Sequence, residues 1–297
     1  MKKILILGSS GQLGTDMNET LSRSFKVLAL DKIACDISNI EALSNKFESF
    51  KPEIVINCSA YTNVDQAEEN KKECYNINHI GVKNISRLCK KYESILFHFS
   101  TDYVFDSSFQ KPLIEEDLKK PINVYGDSKL EGEIEIINTL ENYFIFRVCW
   151  VYGRNGKNFP KTILKLAKAK KELKVVCDQL GSPTPTVLIV DIVQNILKKI
   201  DSNFKDFGIY HISPNGCCSW HEVACRILEY VSDKSEYVLE EVAPVSSDEF
   251  ITKAKRPKYS YLDNSKLVST FDVKVSHWTK YLDRFLNEIG EENELQN

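Results

Sequence analysis

The sequence predicts an α/β protein, a Rossmann-type doubly wound parallel sheet with a small C-terminal α/β lobe. Over the first 150 residues, short apolar runs alternate with longer amphipathic segments, and a glycine-rich turn directly follows the first apolar run. Continuous apolar strands separated by helices indicate a parallel sheet that is covered on both faces. Right-handed crossovers between such strands give the doubly wound arrangement.

The elements of this first part alternate strictly between strand and helix. Each strand is a short apolar run rich in β-branched residues, and each helix repeats its apolar residues with a helical period. The predicted strands are residues 4–7, 27–30, 54–56, 95–99 and 143–148. The predicted helices are residues 12–22, 40–47, 74–92 and 125–140.

After residue 150 the alternation is looser, and prolines cluster where loops are expected. Helices are predicted at residues 159–170, 191–200, 221–230 and 278–289, and strands at residues 175–177 and 209–211. We therefore expect a Rossmann core over residues 1–150, a lobe interleaved with that core over residues 151–290, and a flexible tail over residues 291–297.

Composition argues against several classes of function. The 297 residues carry a formal net charge of −3, which gives no reason to expect binding to nucleic acid or to an anionic membrane. No apolar stretch is long enough to span a bilayer. The nine cysteines form no CxxC pair, which predicts reduced thiols, no metal site and a cytoplasmic protein.

The glycine-rich turn predicts a dinucleotide site. Gly8, Gly11 and Gly14 follow the first strand with the spacing G-x-x-G-x-x-G and open the first helix. Glycines let the backbone approach a pyrophosphate closely, and a helix N-terminus offers it unpaired N–H groups.

The residues after the second strand leave the choice of cofactor open. Asp31 ends that strand, where an acid accepts hydrogen bonds from the adenosine ribose and favours NAD. Lys32 follows and would suit the 2′-phosphate of NADP. Asp36 and Ile37 lie where an adenine would rest. The sequence predicts NADP or NAD, with a slight preference for NADPH.

Tyr125 and Lys129 form a Y-x-x-x-K pair on one face of a predicted helix. A nearby ammonium favours a phenolate, so we expect Lys129 to lower the pKa of Tyr125. Thr101 lies at the carboxyl end of the fourth strand, where ligands bind in open α/β sheets. These residues are the candidate proton donor, its modulator and a hydroxyl for the reacting oxygen.

Together with the segment NCSA at 57–60 after the third strand, these features resemble the extended short-chain dehydrogenase/reductase family. Further segments are similar to one branch, the dTDP-4-dehydrorhamnose reductases, and the resemblance runs from about residue 2 to about residue 285. The segments are GQLG at 11–14, AYTNVD at 60–65, STDYVFD at 100–106, RVCWVYG at 147–153, DQLGSPT at 178–184 and RPKYS at 256–260.

The resemblance implies roles for individual residues. The catalytic set would be Thr101, Tyr125 and Lys129. Cofactor contacts would come from Gly8, Gly11, Gln12, Leu13, Ala60 and Tyr61, with Tyr125 and Lys129 beside the nicotinamide ribose. Substrate contacts would come from Thr62, Val64, Tyr103, Trp150 and Arg256, the last reaching the diphosphate. Asn78 matches an asparagine that supports the backbone of the active site.

The implied activity is NAD(P)H-dependent reduction of the C4 keto group of a nucleotide-linked deoxysugar, dTDP-4-dehydrorhamnose in the first place. The core would bind the cofactor and the lobe the sugar nucleotide, and a homodimer is possible. Two alternatives stay open: a nucleotide-sugar epimerase or dehydratase, and a non-catalytic partner like the regulatory beta subunit of methionine adenosyltransferase. Dehydratases of the family carry an acidic pair beside the hydroxyl, whereas here Asp102 is followed by Tyr103.

Overall fold

The computed structural model of the protein describes residues 2–106 and 111–295. Its centre is a six-stranded sheet, and the strands are β1 (Lys3–Leu7), β2 (Lys26–Leu30), β3 (Ile54–Asn57), β4 (Ile95–Thr101), β5 (Tyr143–Val148) and β10 (Gly208–Ile212). Their order is β10-β5-β4-β3-β1-β2, and every neighbouring pair is parallel. This confirms the doubly wound α/β class.

Helices cover both faces of the sheet because successive side chains of each strand point to opposite sides. On one face, Ile4 and Ile6 of β1 pack with α1 (Gln12–Leu21), α8 (Thr186–Lys199) and α10 (Ser265–Phe271). On the other face, Leu5 and Leu7 pack with α2 (Ile40–Phe50), α5 (Val82–Tyr92) and α6 (Val124–Thr139). Burial on both faces explains why the strands read as continuous apolar runs.

The helix predicted over residues 74–92 is three consecutive pieces. After the short α3 (Val64–Ala67), α4 (Lys71–Tyr75) leads into a π-helix at Asn76–Gly81, and α5 follows. The prediction of a long helix is confirmed, since these pieces form one uninterrupted helical run, but apolar spacing does not reveal the wide turn within it. Such wide turns are frequent at functional sites.

The remaining elements build a second core. Three strand pairs and three helices enclose it. The pairs are β6 (Val151–Tyr152) with β9 (Thr184–Pro185), β7 (Glu172–Val176) with β12 (Glu241–Val245), and β8 (Leu180–Gly181) with β11 (Cys218–Ser219). The helices are α7 (Phe159–Ala167), α9 (Trp220–Val231) and α11 (Trp278–Leu295).

The chain after residue 150 contributes to both cores, because β10, α8 and α10 pack in the first one. The helix α11 continues through residues 291–295, which were predicted to be a flexible tail, and residues 296–297 lie outside the described residues. Among the described helices, none combines the length and apolar character needed to cross a membrane.

Candidate active site

The candidate site lies where the strand order reverses. From β1 the chain passes to β2 on one side and then to β3 on the other, so the carboxyl ends of β1 and β3 flank a crevice. Ligands of open α/β sheets bind at such a switch point. Gly8 follows β1 directly, and Cys58 and Ser59 follow β3.

The glycine loop has the shape that a dinucleotide requires. Gly8 adopts a φ of +78°, and a Cβ there would lie 2.6 Å from the backbone nitrogen of Ser59. Gly11 precedes α1 without a side-chain cap, so no side chain occupies the N–H groups of the first turn. These groups are free to meet a pyrophosphate, and the residues present fit the predicted cofactor.

A cleft of about 190 Å³ runs from this loop along the sheet edge. Its walls include six of the predicted cofactor residues, namely Gly8, Gly11, Lys32, Asp36, Ile37 and Ala60. They also include Ser10, Cys35, Cys58, Ser59 and Ile77, to which the sequence analysis assigned no cofactor contact. Cys58 and Ser59 belong to the NCSA segment after β3, whose position at the strand end is a signal for such a contact.

The other predicted cofactor residues lie beside the cleft and have structural partners. The Asp31 carboxylate accepts the N–H of Ala34 at 2.8 Å and so closes a turn. The Gln12 amide donates to the carbonyl of Val151 at 3.1 Å, and Leu13 packs on the first core. Tyr61 is held through its backbone.

Asn78 of the π-helix supplies that support. Its Oδ1 accepts the N–H of Tyr61 at 2.8 Å, and its Nδ2 donates to the carbonyl of Tyr61 at 3.1 Å and to Ser128 Oγ at 3.0 Å. One buried amide therefore joins the loop after β3 to α6, which carries Tyr125 and Lys129.

The three candidate catalytic residues converge at the end of β4. The Thr101 hydroxyl hydrogen-bonds the Tyr125 side chain and donates to Asp102 Oδ1 at 3.1 Å. Lys129 is buried one helical turn after Tyr125, and its Nζ donates to the carbonyl of Phe99 at 2.6 Å. The rings of Tyr103 and Tyr125 contact each other edge to face, with their centroids 5.5 Å apart.

Close packing of α6 places Tyr125 at this point. Asn123 caps the helix by accepting the N–H of Gly126 at 2.8 Å. A Cβ on Gly126 would lie 2.2 Å from the carbonyl oxygen of Tyr103, so only glycine allows the first turn of α6 to approach the end of β4 this closely.

The electrostatics differ from the prediction for Tyr125. Burial raises the pKa of Tyr125 well above its ordinary value, and the hydrogen bond with Thr101 opposes that shift only partly. Burial also lowers the pKa of Lys129 to about 8, against the opposing charge of Glu133. The expectation that Lys129 lowers the pKa of Tyr125 was therefore wrong for this structure, because desolvation dominates. Tyr125 stays a neutral proton donor at neutral pH.

Asp102 is an unusual neighbour for these groups. Its side chain is only 2% exposed, and burial raises its pKa to about 7 against hydrogen bonds from Ser260 and Thr101. A carboxyl group with this pKa changes its charge near neutral pH, directly beside the candidate catalytic hydroxyl.

Of the predicted substrate residues, Tyr103 and Arg256 are linked to the same point. Arg256 pairs with Asp65 at 3.0 Å between Nη2 and Oδ2, and its side chain hydrogen-bonds Tyr103. Val64 opens α3, and Thr62 is exposed on the loop before it.

Trp150 occupies a strained backbone position with a φ of +49° and stacks on Trp220 with ring centroids 3.7 Å apart. Trp220 also lines a cavity of about 790 Å³ in the lobe, together with Phe159 of α7, Val175 of β7 and Arg256. Arg256 thus connects this cavity to Tyr103 and, through the Tyr103 ring, to Tyr125, whereas Trp220 connects it to Trp150. No sequence motif pointed to Trp220, because its link to Trp150 exists only in the folded chain.

Known proteins resemble this chain over almost its whole length. The family model described as RmlD substrate binding domain matches residues 1–291. A dTDP-4-dehydrorhamnose reductase of Aggregatibacter actinomycetemcomitans is 37% identical over 286 residues, which are 95% of this chain and 97% of that protein. The spore coat polysaccharide biosynthesis protein SpsK of Bacillus subtilis (strain 168) is 37% identical, with coverage of 97% and 98%.

A solved structure supports the same relationship. The crystal structure of a dTDP-4-dehydrorhamnose reductase from Bacillus anthracis in complex with NADP has a TM-score of 0.91 and 36% sequence identity, and the match covers 97% of this chain and 100% of that one. The resemblance predicted from the sequence motifs is confirmed. This chain belongs to the RmlD substrate binding domain family, and its relatives include dTDP-4-dehydrorhamnose reductases.

Proposed function

We propose that the protein reduces the C4 keto group of a nucleotide-linked deoxysugar with NAD(P)H, and that its substrate is dTDP-4-dehydrorhamnose, which becomes dTDP-rhamnose. The observation that carries the proposal is the convergence of Thr101, Tyr125 and Lys129 beside a glycine-lined cleft. Relatives that share more than a third of its residues are named for this activity, and one is solved with NADP.

The chemistry follows from the state of each group. The reduced nicotinamide supplies a hydride to the carbonyl carbon when it is bound. Tyr125, kept neutral by burial, donates its phenolic proton to the oxygen that gains charge. Thr101 offers that oxygen a second hydroxyl. Lys129 is charged at neutral pH, since its pKa is about 8, and its ammonium group would hold the nicotinamide ribose hydroxyls of a bound cofactor.

We propose NADP(H) as the preferred cofactor. Lys32 lines the cleft, and its side chain is 68% exposed. Its Nζ lies 3.4 Å from Glu73 Oε1 in an exposed ion pair, and it would exchange this partner for the 2′-phosphate of NADP(H). The Asp31 carboxylate already accepts the N–H of Ala34 and is less available to ribose hydroxyls.

The lobe cavity suits the nucleotide part of the substrate. Trp220 and Phe159 form aromatic walls of this cavity. The guanidinium of Arg256 lines the cavity on the side of the candidate catalytic residues. Aromatic faces stack on bases, and a guanidinium matches phosphate geometry. These residue roles remain proposals.

The test is the absorbance of reduced nicotinamide in a mixture of purified protein, NADPH or NADH, and enzymatically prepared dTDP-4-keto-6-deoxy-mannose. We expect sugar-dependent loss of absorbance, faster with NADPH. No loss with either cofactor, although both bind, would contradict reduction of this sugar and favour the binding-partner alternative. The dehydratase alternative is less well supported, because Asp102 is buried and is followed by Tyr103 instead of a second acid.

We also propose a cytoplasmic location, because all nine cysteines are free, as is usual in a reducing compartment. The homodimer stays a prediction.

A further inference from the structure

A segment of the C-terminal lobe is tied to the glycine loop of the cofactor cleft. Residues 153–158 connect β6 to α7 and cross the start of α1. The Asn158 side-chain amide donates to Gln12 Oε1 at 2.8 Å, and the Gln12 amide donates to the carbonyl of Val151 at 3.1 Å. A Cβ on Gly156 would lie 3.3 Å from the Gln12 Cβ, so the backbone of the segment packs directly on this side chain.

A second contact fixes the same segment one turn further along α1. Asn155 Nδ2 donates to Asp16 Oδ1 at 2.8 Å. The segment 153–158 is therefore bound to two successive turns of the helix whose N-terminus faces the cofactor cleft.

Asn158 also belongs to the lobe. Its Oδ1 accepts the N–H of Lys161 at 3.1 Å and so caps α7, and its Nδ2 also donates to the carbonyl of Gly153 at 2.8 Å. The helix α7 forms one wall of the 790 Å³ cavity through Phe159, Thr162, Ile163 and Leu166. The Asn158 side-chain amide thus holds both the N-terminus of α7, where the cavity wall begins, and Gln12, which follows Gly11 of the glycine loop.

We propose that Asn158 is a positioning residue that couples the two sites: a dinucleotide in the cleft strengthens nucleotide binding in the lobe cavity, and the reverse. Occupation of the cleft restrains the loop and Gln12, and the Asn158 amide passes that restraint to the N-terminus of α7. The proposal rests on the proposed function, since it needs both ligands. Coupling between two such sites is reciprocal and typically amounts to about 5- to 150-fold in affinity.

The experiment measures the affinity of the full chain for dTDP by calorimetry, without and with saturating NADP⁺. For the wild-type protein we expect NADP⁺ to tighten dTDP binding about fivefold or more. For Asn158→Ser we expect this factor to fall to about one while each ligand still binds alone, because serine keeps a helix cap and loses the reach to Gln12.

Two further variants complete the design. Asn158→Asp also keeps the helix cap, but its carboxylate cannot donate hydrogen bonds to the oxygens of Gln12 and Gly153 and is repelled by them. This variant should therefore lose the coupling, and it tests the inference even if the serine variant folds poorly. Asn264→Ser is the matched control. The Asn264 amide likewise donates to a backbone carbonyl, that of Ser213 at 2.7 Å, and to an amide oxygen, that of Asn215 at 3.0 Å, and none of these residues lines the cleft or the cavity. It should keep wild-type coupling.

Wild-type protein that binds both ligands independently, or an Asn158 variant that keeps the full coupling factor, would overturn this inference and leave the proposed function intact. Wild-type protein that binds neither NADP⁺ nor dTDP would overturn the proposed function and the coupling with it.

Discussion

At the scale of single residues, burial decides how the site works. Tyr125, Lys129 and Asp102 all have pKa values shifted toward the neutral form, and desolvation is the largest cause in each case. A neutral tyrosine suits a reaction in which the substrate oxygen must receive a proton. The sequence identified Tyr125 and Lys129 by their spacing, but it did not reveal their protonation states or the role of Asp102, because burial by distant parts of the chain sets those states.

Replacement of Tyr125 by phenylalanine should remove the proton donor and little else. We expect turnover to fall by about 10²–10⁴-fold, while NADP⁺ affinity stays close to the wild-type value. Steady-state rates measure the turnover, and calorimetry measures the NADP⁺ affinity. Tyr230→Phe is the control, since the Tyr230 hydroxyl donates to the carbonyl of Leu286 at 2.8 Å within the lobe. Wild-type turnover in Tyr125→Phe would refute the assignment.

Asp102 should make stability depend on pH. Its folded-state pKa is about 7, above the ordinary value of 3.8, so its contribution to stability is present at low pH and is lost as pH rises through about 7. Relative to Asp102→Asn, the free energy of unfolding of the wild-type protein should drop by roughly 3 kcal/mol between pH 5 and pH 8. Urea titrations at both pH values measure this. Parallel changes in the two proteins would show that Asp102 does not titrate in this range.

At the scale of elements, a buried ion pair fixes α6 to the sheet. Arg147 of β5 meets Glu133 of α6 through two hydrogen bonds of 3.0 and 2.7 Å, and both side chains are 1% exposed. A third bond joins Arg147 to the carbonyl of Glu115 at 3.0 Å. Glu133 lies one turn beyond Lys129, so the pair helps to hold in place the helix that carries Tyr125 and Lys129.

Breaking this pair should be costly. We expect Arg147→Met to lower the free energy of unfolding by about 3–5 kcal/mol, because the Glu133 charge stays buried without its partner. The double variant Arg147→Met/Glu133→Leu should regain much of that loss. Arg226→Met is the surface control, because Arg226 is 41% exposed and its ion pairs should contribute about 1 kcal/mol or less. Denaturant unfolding compares the variants, and equal losses for Arg147→Met and Arg226→Met would contradict this view.

The elements also show where sequence patterns succeed and fail. The core strands were found because burial on both faces leaves continuous apolar runs. The strand β12 was missed, since Pro244 interrupts a run that lies in a two-stranded pair outside the main sheet. The long helix over residues 74–92 was predicted, but not its π-helical part at Asn76–Gly81, which carries Asn78, the residue that supports the Tyr61 backbone.

At the scale of the whole molecule, the fold brings together residues that are far apart in sequence. Motifs predicted Thr101, Tyr125 and Lys129, and the structure places all three at one point. The stacking of Trp150 on Trp220 and the bond between Gln12 and Asn158 had no signal in the sequence, because each depends on how the lobe sits against the core. Local patterns therefore predict the candidate catalytic residues better than they predict the shape of the lobe cavity.

The measurement that tests the central claim most directly is the fate of the hydride. The protein is incubated with dTDP-4-keto-6-deoxy-mannose and NADPH deuterated at the transferable C4 position of the nicotinamide, and the sugar product is analysed by NMR and mass spectrometry. Our account predicts deuterium at C4 of the product, with one cofactor oxidised for each sugar reduced. A product without deuterium, or a rearranged sugar formed with no net loss of NADPH, would contradict it.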